Sequence, residues 1–525
     1  MTARPARFSD VGGLLVAVFG LIAFAYLTVP SVDSDYGWHV ANGRHLLDGQ
    51  LFAGIDTYSW TARGATWIAH EWLAEGLMAF LHDGLGPTAN SILAGALGAG
   101  AVLLTVARLR GRGFGLVVAL GAGVLALLDA GTIVSVRPIV VEVFAVAFLL
   151  WFIDGWRSGR IGTRTFTGVL LLEFLIWVNA HGSFVLGLGI IGAAWISLVA
   201  ERDPRARSFA VIGIGAALVT LANPFGLRLY GYVASAVTGS RLGLIAEWAP
   251  PDLASSMWWA FVIAIGLAGL GAAAAVRFVL AGRSRRADGG APPIVAAVRL
   301  DDLLIAGAMA VAGLQHGYHA GLFGIVAAPV VATGIAALLG RRPGLGGRAI
   351  RPEAARQLAP ATRRHANVAL LALITVVTGA LVSARVGPAN TDAAMRAEYP
   401  VAALPALDSL AAGWADGLCL FNDYSWGGWL EMVRPGIPVF IDGRSEVYGD
   451  AQVERYALIN AAGPGAFSTL SATGANAALV RSSSGLVDVL QAHGWSVLYR
   501  DDVAVLIALV MLSGQPPVPG DAAPC

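Results

Sequence analysis

The sequence contains no lysine and little charge of either sign. Its 525 residues carry 35 positive side chains, all of them arginine, and 34 carboxylates, so that 13% of residues are charged and the net charge is +1. A nearly neutral chain offers no basic surface to a polyanion, and we expect no nucleic-acid partner. Hydrophobic residues make up 56% of the chain and the mean hydropathy is +0.68. Because that is too apolar for a soluble globule, the composition predicts a polytopic membrane protein.

Cysteine is almost absent as well. Cys419 and Cys525 stand far apart, with no cysteine or histidine at the spacing of metal ligands, so the sequence predicts two unpaired thiols and no zinc site. The absence of lysine excludes a phosphate-binding Gly-Lys loop, and no Gly-x-Ser-x-Gly motif of a serine hydrolase occurs. The pair His70-Glu71 is followed by Ala74, where a zinc protease needs its second histidine.

Long apolar runs fill the first three quarters of the chain. Since a helix needs about 20 mostly apolar residues to cross the hydrocarbon core, we predict eleven transmembrane helices, several of them short or interrupted and therefore tilted, broken or re-entrant. They lie near residues 11–30, 88–107, 114–132, 138–154, 166–180, 183–200, 208–222, 257–280, 302–316, 320–339 and 367–386. For the first run, Ala23-Phe24-Ala25 leaves open a cleavable signal peptide.

The orientation follows from the arginines, which occupy alternate connections. By the positive-inside rule these connections and the N-terminus are cytoplasmic. They carry Arg4 and Arg7, Arg108 to Arg112, Arg157 to Arg164, Arg202 to Arg207, Arg283 to Arg286, and Arg341 to Arg364. The loop 31–87, the connection 223–256 and the tail after Val386 are then extracytoplasmic. Nucleotide sugars and ATP are scarce there, so an activated substrate would arrive on a lipid.

The tail changes character, with turn residues between short alternating runs. This pattern predicts a small extracytoplasmic α/β domain over 387–514, with a disordered end at 515–525. Strands are expected at 438–441, 477–480, 496–499 and 503–512, and a helix at 486–493. We assign 1–386, including loop 31–87 with its juxtamembrane helices, to the membrane domain.

The loop 31–87 concentrates carboxylates, histidines and tryptophans. If it is helical from Asp35, then Asp35, His39 and Asn42 share one stripe that would face away from the membrane. A carboxylate beside aromatic rings at a low-dielectric boundary suits a general base, because desolvation raises its pKa. In the alternative interpretation, Asp33 and Asp35 only cap the helix.

The motifs of this loop resemble the first outer loop of the GT-C superfamily of glycosyltransferases, in particular its bacterial protein O-mannosyltransferase-like and aminoarabinose-transferase-like members. They are Asp33-Ser34-Asp35, Trp38-His39, Asn42 to Gly49, Asp56 to Thr61 and Trp67 to Leu73. In that family an acidic residue after the first span precedes an amphipathic helix that ends in a Leu-Leu-x-Gly-like step. Asp35 takes the place of the catalytic acid, and Asp33-Ser34-Asp35 is similar to a relaxed Asp-x-Asp.

The resemblance implies an inverting transfer of a sugar from a polyprenyl-phosphate donor to a glycan, lipid or protein acceptor on the outer face of a bacterial plasma membrane. Asp35, assisted by Asp33, would deprotonate the acceptor hydroxyl while the phosphate leaves. No cofactor is certain, but if a metal takes part, these two carboxylates would suit Mg²⁺ or Mn²⁺.

A leaving phosphate needs cations or hydrogen-bond donors near the membrane plane. Arg137 is the first candidate for this role, followed by Arg44, and Arg228 and Arg241 are weaker candidates. In the alternative interpretation, Arg137 only lies at the membrane interface and binds no phosphate. His181 is expected to meet the phosphate or Asp35. The further substrate-binding candidates are His39, His70, Glu71, Trp72, Glu247, His316 and His319. A structural role is the alternative for each histidine.

Two motifs of the tail also stand out. Residues 422–429, Asn-Asp-Tyr-Ser-Trp-Gly-Gly-Trp, resemble the Trp-Trp-Asp-Tyr-Gly signature with which oligosaccharyltransferases of the same superfamily hold a peptide acceptor. Sheet corners use the same residue types, so a turn is the alternative. In the segment 441–446, Asp442 and Arg444 are expected to pair after a strand.

Two other functions remain open from the sequence. A transporter or flippase would place charges and broken helices at the bilayer midplane, whereas here the acidic cluster lies in one outer loop and no inverted repeat is visible. A non-catalytic scaffold that keeps the superfamily's shape would bind neither donor nor sugar.

Overall fold

The computed structural model describes residues 11–49, 54–238, 249–282, 298–340, 360–414 and 417–509. The helices are Val11–Leu27 (α1), Tyr36–Leu47 (α2), Trp72–Leu85 (α3), Pro87–Gly111 (α4), Leu116–Ala130 (α5), Ile139–Arg157 (α6), Thr163–Ala180 (α7), Phe184–Ala200 (α8), Ala206–Val219 (α9), Arg228–Thr238 (α10), Trp259–Gly282 (α11), Leu300–Gln315 (α12), Gly317–Ala320 (α13), Phe323–Val326 (α14), Ala328–Leu338 (α15), Pro360–Val386 (α16), Pro388–Glu398 (α17), Leu404–Trp414 (α18), Gly427–Val433 (α19), Ser445–Asn460 (α20), Ala466–Ser471 (α21) and Leu486–Ala492 (α22). The strands are Leu420–Asn422 (β1), Ala477–Arg481 (β2), Ser496–Arg500 (β3) and Ala504–Ala508 (β4).

Each of the eleven apolar segments coincides with a helix or, for 320–339, with a broken one. By length and composition, four described helical segments can cross a membrane: Pro87–Gly111, Ile139–Arg157, Ser256–Leu280 and Arg364–Glu398. A fifth crossing results if Gly317–Val326 and Ala328–Leu338, which are bent by 66°, count as one span. The apolar helices place the protein in a membrane, and eleven crossings stay a prediction.

The chain divides into two compact units. The first contains Met1–Val29, Ile92–Asn223 and Ala246–Arg385, and the second contains Pro30–Ser91, Pro224–Ile245 and Val386–Cys525. The outer loop therefore groups with the tail, although the sequence assigned it to the membrane domain. Backbone hydrogen bonds make the connection: Trp60 N–H donates to the Val439 carbonyl at 3.0 Å, and Val439 N–H donates to the Tyr58 carbonyl at 3.1 Å.

In the first unit, buried ion pairs join the ends of α4, α6 and α12. The Arg108 guanidinium donates to Asp154 at 3.0 Å and to Asp302 at 2.8 Å, and Arg112 bonds both carboxylates as well. The side chain of Arg108 is only 2% exposed. Two of the arginines that predict the orientation are thus neutralised inside the helix bundle.

In the second unit, the sheet has the strand order β1-β2-β4-β3. Strands β1 and β2 are parallel, while β2–β4 and β3–β4 are antiparallel. Strands β2 and β3 and helix α22 confirm the predictions for 477–480, 496–499 and 486–493. The run predicted at 503–512 forms β4 as far as Ala508, and its last residues lie beyond the described range.

The strand predicted at 438–441 is wrong. Val439, Phe440 and Ile441 are fully buried, but Val439 bonds the backbone of Tyr58 and Trp60, and the Asn422 side chain bonds the backbone of Phe440 and Ile441. Its oxygen accepts the Phe440 N–H at 2.7 Å, and its amide donates to the Ile441 carbonyl at 2.8 Å. Only one isolated bridge, from Ser59 to Val439, is formed here by the described residues.

Cys419 is not a free thiol. It is disulfide-bonded, which corrects the prediction of unpaired cysteines for this residue. Its partner lies outside the described residues. Separation along the chain could not reveal this bond, because the fold decides which thiols meet.

Candidate active site

The start of α2 separates the roles of Asp33 and Asp35. One oxygen of the Asp33 carboxylate accepts the Asp35 N–H at 3.0 Å, and the Asp33 carbonyl accepts the Tyr36 N–H. Asp35 takes the N-cap position, but its carboxylate makes no capping hydrogen bond. The capping interpretation thus fits Asp33, whereas the half-buried Asp35 carboxylate points elsewhere.

The Asp35 carboxylate lies against the turn that contains Gly443. A Cβ at Gly443 would overlap Asp35 Oδ1 and would stand 3.2 Å from the indole nitrogen of Trp38. That nitrogen is buried and has no hydrogen-bond partner among the described residues. A carboxylate and an available N–H donor therefore meet over the same backbone turn, which is suited to a hydroxyl-bearing ligand.

Substituting Gly443 tests this placement. In Gly443→Ala the new methyl group must displace the Asp35 carboxylate, and we expect about 100-fold less activity, the cost of misplacing a catalytic group by about 1 Å. Gly436→Ala is the matched control, since a Cβ there meets no atom within 4 Å. Thermal unfolding should stay near that of the unsubstituted protein in both variants. Equal activity of the two would show that the position of Asp35 is unimportant.

Of the polar stripe of α2, His39 is buried, whereas Asp35 and Asn42 are half-buried. His39 is 2% exposed, and its Nδ1 lies 3.2 Å from Glu75 Oε1. Asn42 donates from its amide to Glu75 Oε2 at 2.5 Å. The stripe was predicted correctly as a helical face, but the facing element is α3, whose carboxylates it meets. His39, Glu71 and Glu75 could hold a metal ion, since one ligand atom of each lies within 4.8 Å of the others.

The remaining candidates of the loop lie near α3. His70 packs on the Tyr232 ring at 4.9 Å, and burial lowers its pKa to about 4, so its imidazole is neutral at physiological pH. Trp72 is half-buried at the first position of α3. Arg44 bonds Asp83 through two guanidinium nitrogens. Hydrogen bonding to Arg44 lowers the pKa of the Asp83 carboxyl, so this cation is already neutralised.

Arg228 is exposed at the start of α10. Neither Asp33 nor Asp35 belongs to the metal-capable group found among the described residues. The assignment of Mg²⁺ or Mn²⁺ to that pair stays a prediction.

A fully buried ion cluster joins the loop to the tail. The Arg444 guanidinium donates to Asp56 at 2.8 Å, to Glu431 at 3.0 Å and to Asp442 at 2.5 Å, which confirms the predicted Asp442–Arg444 pair. It also lies 4.8 Å from the ring centre of Tyr58 and 4.7 Å from that of Trp67. Arg444 therefore holds several segments of the unit in one arrangement.

The single positive charge of Arg444 cannot balance the three carboxylates of this cluster if all of them are ionised. Burial raises the pKa of Glu431 well above its usual range. Burial would raise the pKa of Asp442 too, but the Arg444 guanidinium outweighs it, and the net shift is downward. The carboxyl of Glu431 is therefore more readily protonated than that of Asp442.

In the first unit, Arg137 lines a cavity of about 340 Å³. Its walls are mainly apolar, with polar groups from Arg137, Asp252 and Tyr318; the apolar residues include Ile133, Ile139, Pro250, Pro251, Met257 and Trp258. Arg137 lies just before α6, so the partial positive charge of that helix end adds to the guanidinium. A cation in an apolar cavity suits the phosphate of a lipid.

His181 lies close to Glu142 in the first unit. Its Nδ1 is 3.5 Å from Glu142 Oε2 and 2.7 Å from the Ser183 hydroxyl. Tyr318, which lines the cavity, donates its hydroxyl to the same carboxylate. These groups thus form one polar cluster within the first unit.

The two histidines of the α12–α13 connection stay together, with the ring centres of His316 and His319 6.0 Å apart. They flank Gly317 and Tyr318, which line the cavity. Glu247 and Arg241 lie outside the described residues.

Sequence reasoning missed Glu75, Glu142 and Glu431 as members of these clusters. Glu75 follows Glu71 by four residues, a spacing that places both on one helix face. Glu142 is an isolated carboxylate in an apolar run, which is itself a signal of function. For Glu431 we find no signal in the sequence, because its partners are distant in the chain.

This chain is similar to known proteins in fold but not in sequence. No family model matches the sequence, and no curated protein resembles it at a significant level. Among solved structures, the fold is similar to the archaeal oligosaccharyltransferase AglB from Archaeoglobus fulgidus in complex with an inhibitory peptide and a dolichol-phosphate. The match has a TM-score of 0.55 and 14% identity and covers 91% of this chain and 70% of AglB. The chain therefore has a fold similar to that of AglB, as the resemblance noted in the first loop led us to expect.

Proposed function

We propose that the protein is a membrane glycosyltransferase that moves a sugar from a polyprenyl-phosphate donor to an acceptor hydroxyl on the extracytoplasmic face. The observation that carries the proposal is the Asp35 carboxylate, which makes no capping hydrogen bond and lies over the same turn at Gly443 as the indole nitrogen of Trp38. The fold of AglB, a protein solved with a dolichol-phosphate, supports a lipid-linked donor. Cys419 belongs to the same unit as Asp35, and its disulfide favours an oxidising, extracytoplasmic compartment.

In the proposed reaction, Asp35 removes the proton of the acceptor hydroxyl as its oxygen attacks C1 of the sugar. The bond between C1 and the phosphate oxygen breaks on the opposite face, so the configuration at C1 inverts and polyprenyl phosphate leaves. The indole N–H of Trp38 orients the acceptor. Within the first unit, the Arg137 guanidinium, aided by the N-terminal end of α6, is the proposed binding group for the phosphate of the lipid donor.

The role of Arg137 gives a separate prediction. Removing the cation in Arg137→Gln should weaken an interaction with the donor phosphate, and we expect the KM for the lipid donor to rise about tenfold or more. The check is the initial rate of transfer against donor concentration in reconstituted membranes. Arg160→Gln, at an exposed position, is the matched control. An unchanged KM in Arg137→Gln would remove Arg137 from the donor site.

A strain that lacks the protein tests the function as a whole. It should accumulate the polyprenyl-phosphate sugar and lose one glycosylated envelope component, and the unsubstituted protein should restore both. Unchanged pools of lipid-linked sugars and of glycans in that strain would contradict the proposal.

A further inference from the structure

Three ligating side chains of α2 and α3 converge in the interior of the second unit. His39 comes from the first turn of α2, while Glu71 and Glu75 come from the start of α3, one helical turn apart. Their exposed fractions are 2%, 9% and 0%. Two carboxylates and one imidazole removed from water form a costly group unless something compensates the charge.

Two distances between the ligating atoms are close to those expected around a metal ion. His39 Nδ1 lies 3.2 Å from Glu75 Oε1 and 3.7 Å from Glu71 Oε2. A charge-assisted hydrogen bond between such groups measures about 2.7–2.9 Å. In a tetrahedral zinc site with bonds of about 2.0–2.1 Å, neighbouring ligand atoms stand about 3.3 Å apart. The two observed distances, from His39 to Glu75 and to Glu71, lie within a few tenths of an ångström of this value.

Neighbouring groups hold the ligands in this orientation. The Asn42 amide binds Glu75 Oε2 at 2.5 Å, which turns the other oxygen toward His39. The Trp38 ring lies 3.5 Å from the centre of the His39 imidazole and restricts its rotation. Partners of this kind, bonded to a ligand and not to the ion, are typical of metal centres in proteins.

We propose that His39, Glu71 and Glu75 bind one divalent transition-metal ion, with Zn²⁺ the best match. One nitrogen and two carboxylate ligands suit zinc, whereas Mg²⁺ prefers six oxygen ligands in octahedral geometry. A dication neutralises the two buried carboxylates. Three protein ligands leave the fourth position to water. The ion would fasten α2 to α3 one helical turn from Asp35, and the site does not depend on the proposed sugar transfer.

Zinc binding by the purified full-length protein in detergent tests the site. After treatment with a chelator and dialysis, titration calorimetry with ZnCl₂ should find one ion per chain, and Co²⁺ should give the visible absorption of a tetrahedral centre. Glu75→Gln keeps the shape of the side chain but removes its charge, and we expect at least about 100-fold weaker binding. In Asn42→Ala the loss should be about 10- to 100-fold. Glu398→Gln, at a carboxylate that is 44% exposed and pairs with Arg481, is the matched control and should bind as the parent does.

Two results would overturn the site: no stoichiometric zinc in the parent protein, or an unchanged affinity in both Glu75→Gln and Asn42→Ala. Either would mean that the three side chains form a hydrogen-bonded network without metal. Should Glu75→Gln fail to fold, as judged by gel filtration and circular dichroism, Asn42→Ala decides alone, because it leaves the three ligands in place. Tighter binding of MgCl₂ than of ZnCl₂ would also contradict the proposal.

Discussion

Replacing Asp35 with asparagine is expected to lower the rate of sugar transfer by roughly 10²–10⁴-fold, the usual contribution of a general base. The amide keeps the size of the side chain but cannot accept the proton of the acceptor hydroxyl. The measurement is the transfer of labelled sugar in membranes supplied with a labelled polyprenyl-phosphate sugar. Binding of the donor should change little, because Asp35 is proposed to act on the acceptor.

Two further variants make this result specific. Asp33→Asn keeps an oxygen that can accept the Asp35 N–H, so we expect a loss of about tenfold or less. Asp392→Asn changes a carboxylate that is 62% exposed and should have no effect. If Asp33→Asn were inactive and Asp35→Asn active, the base would be Asp33. Full activity in both would remove the pair from the mechanism.

Replacing Arg444 with methionine is expected to destabilise the second unit by about 3–5 kcal/mol, the cost of leaving buried charges without their partner. Asp56 and Asp442 are fully buried and Glu431 is 2% exposed, so water cannot take over the role of the guanidinium. The measurement is the midpoint of thermal unfolding in detergent, together with the rate of proteolysis, because a chain with two units need not unfold in one step.

A rescue experiment shows whether Arg444→Met destabilises the protein through unpaired buried charges or through lost packing. Adding Asp442→Asn and Glu431→Gln to Arg444→Met should recover part of the stability, since the carboxylates that lost their partner are then neutral. Arg434→Met is the control, because that arginine is 34% exposed and pairs with Asp408 at the surface, where about 1 kcal/mol or less is expected. If Arg434→Met and Arg444→Met lowered the midpoint equally, the buried cluster would contribute no more to stability than a surface ion pair does.

The sequence predicted those elements whose signals are local. The start of α2 after Asp35, strands β2 and β3 and helix α22 each follow from periodicity and turn residues within a few positions. The pair of Asp442 and Arg444 is local too, with one residue between them. Apolar run length likewise marked the positions of the helices, although it does not give the number that cross the membrane.

The rest depends on contacts between distant segments. Nothing in 438–441 shows that Asn422 will bond its backbone in place of a neighbouring strand. His39 and Glu75 are 36 residues apart, so their meeting requires α2 to pack on α3. For the same reason the stripe with Asp35 and His39 was predicted as a helical face, but its contact with α3 was not predicted.

Cleavage of the bond between sugar and phosphate tests the central claim most directly. The purified protein, in liposomes that contain a polyprenyl-phosphate sugar and an envelope extract as acceptor, should release polyprenyl phosphate in equal amount to the sugar transferred, and Asp35→Asn should suppress both. Movement of the intact donor across the bilayer would instead identify a transporter. Failure to bind or cleave the donor would leave a scaffold, and either result would contradict a glycosyltransferase.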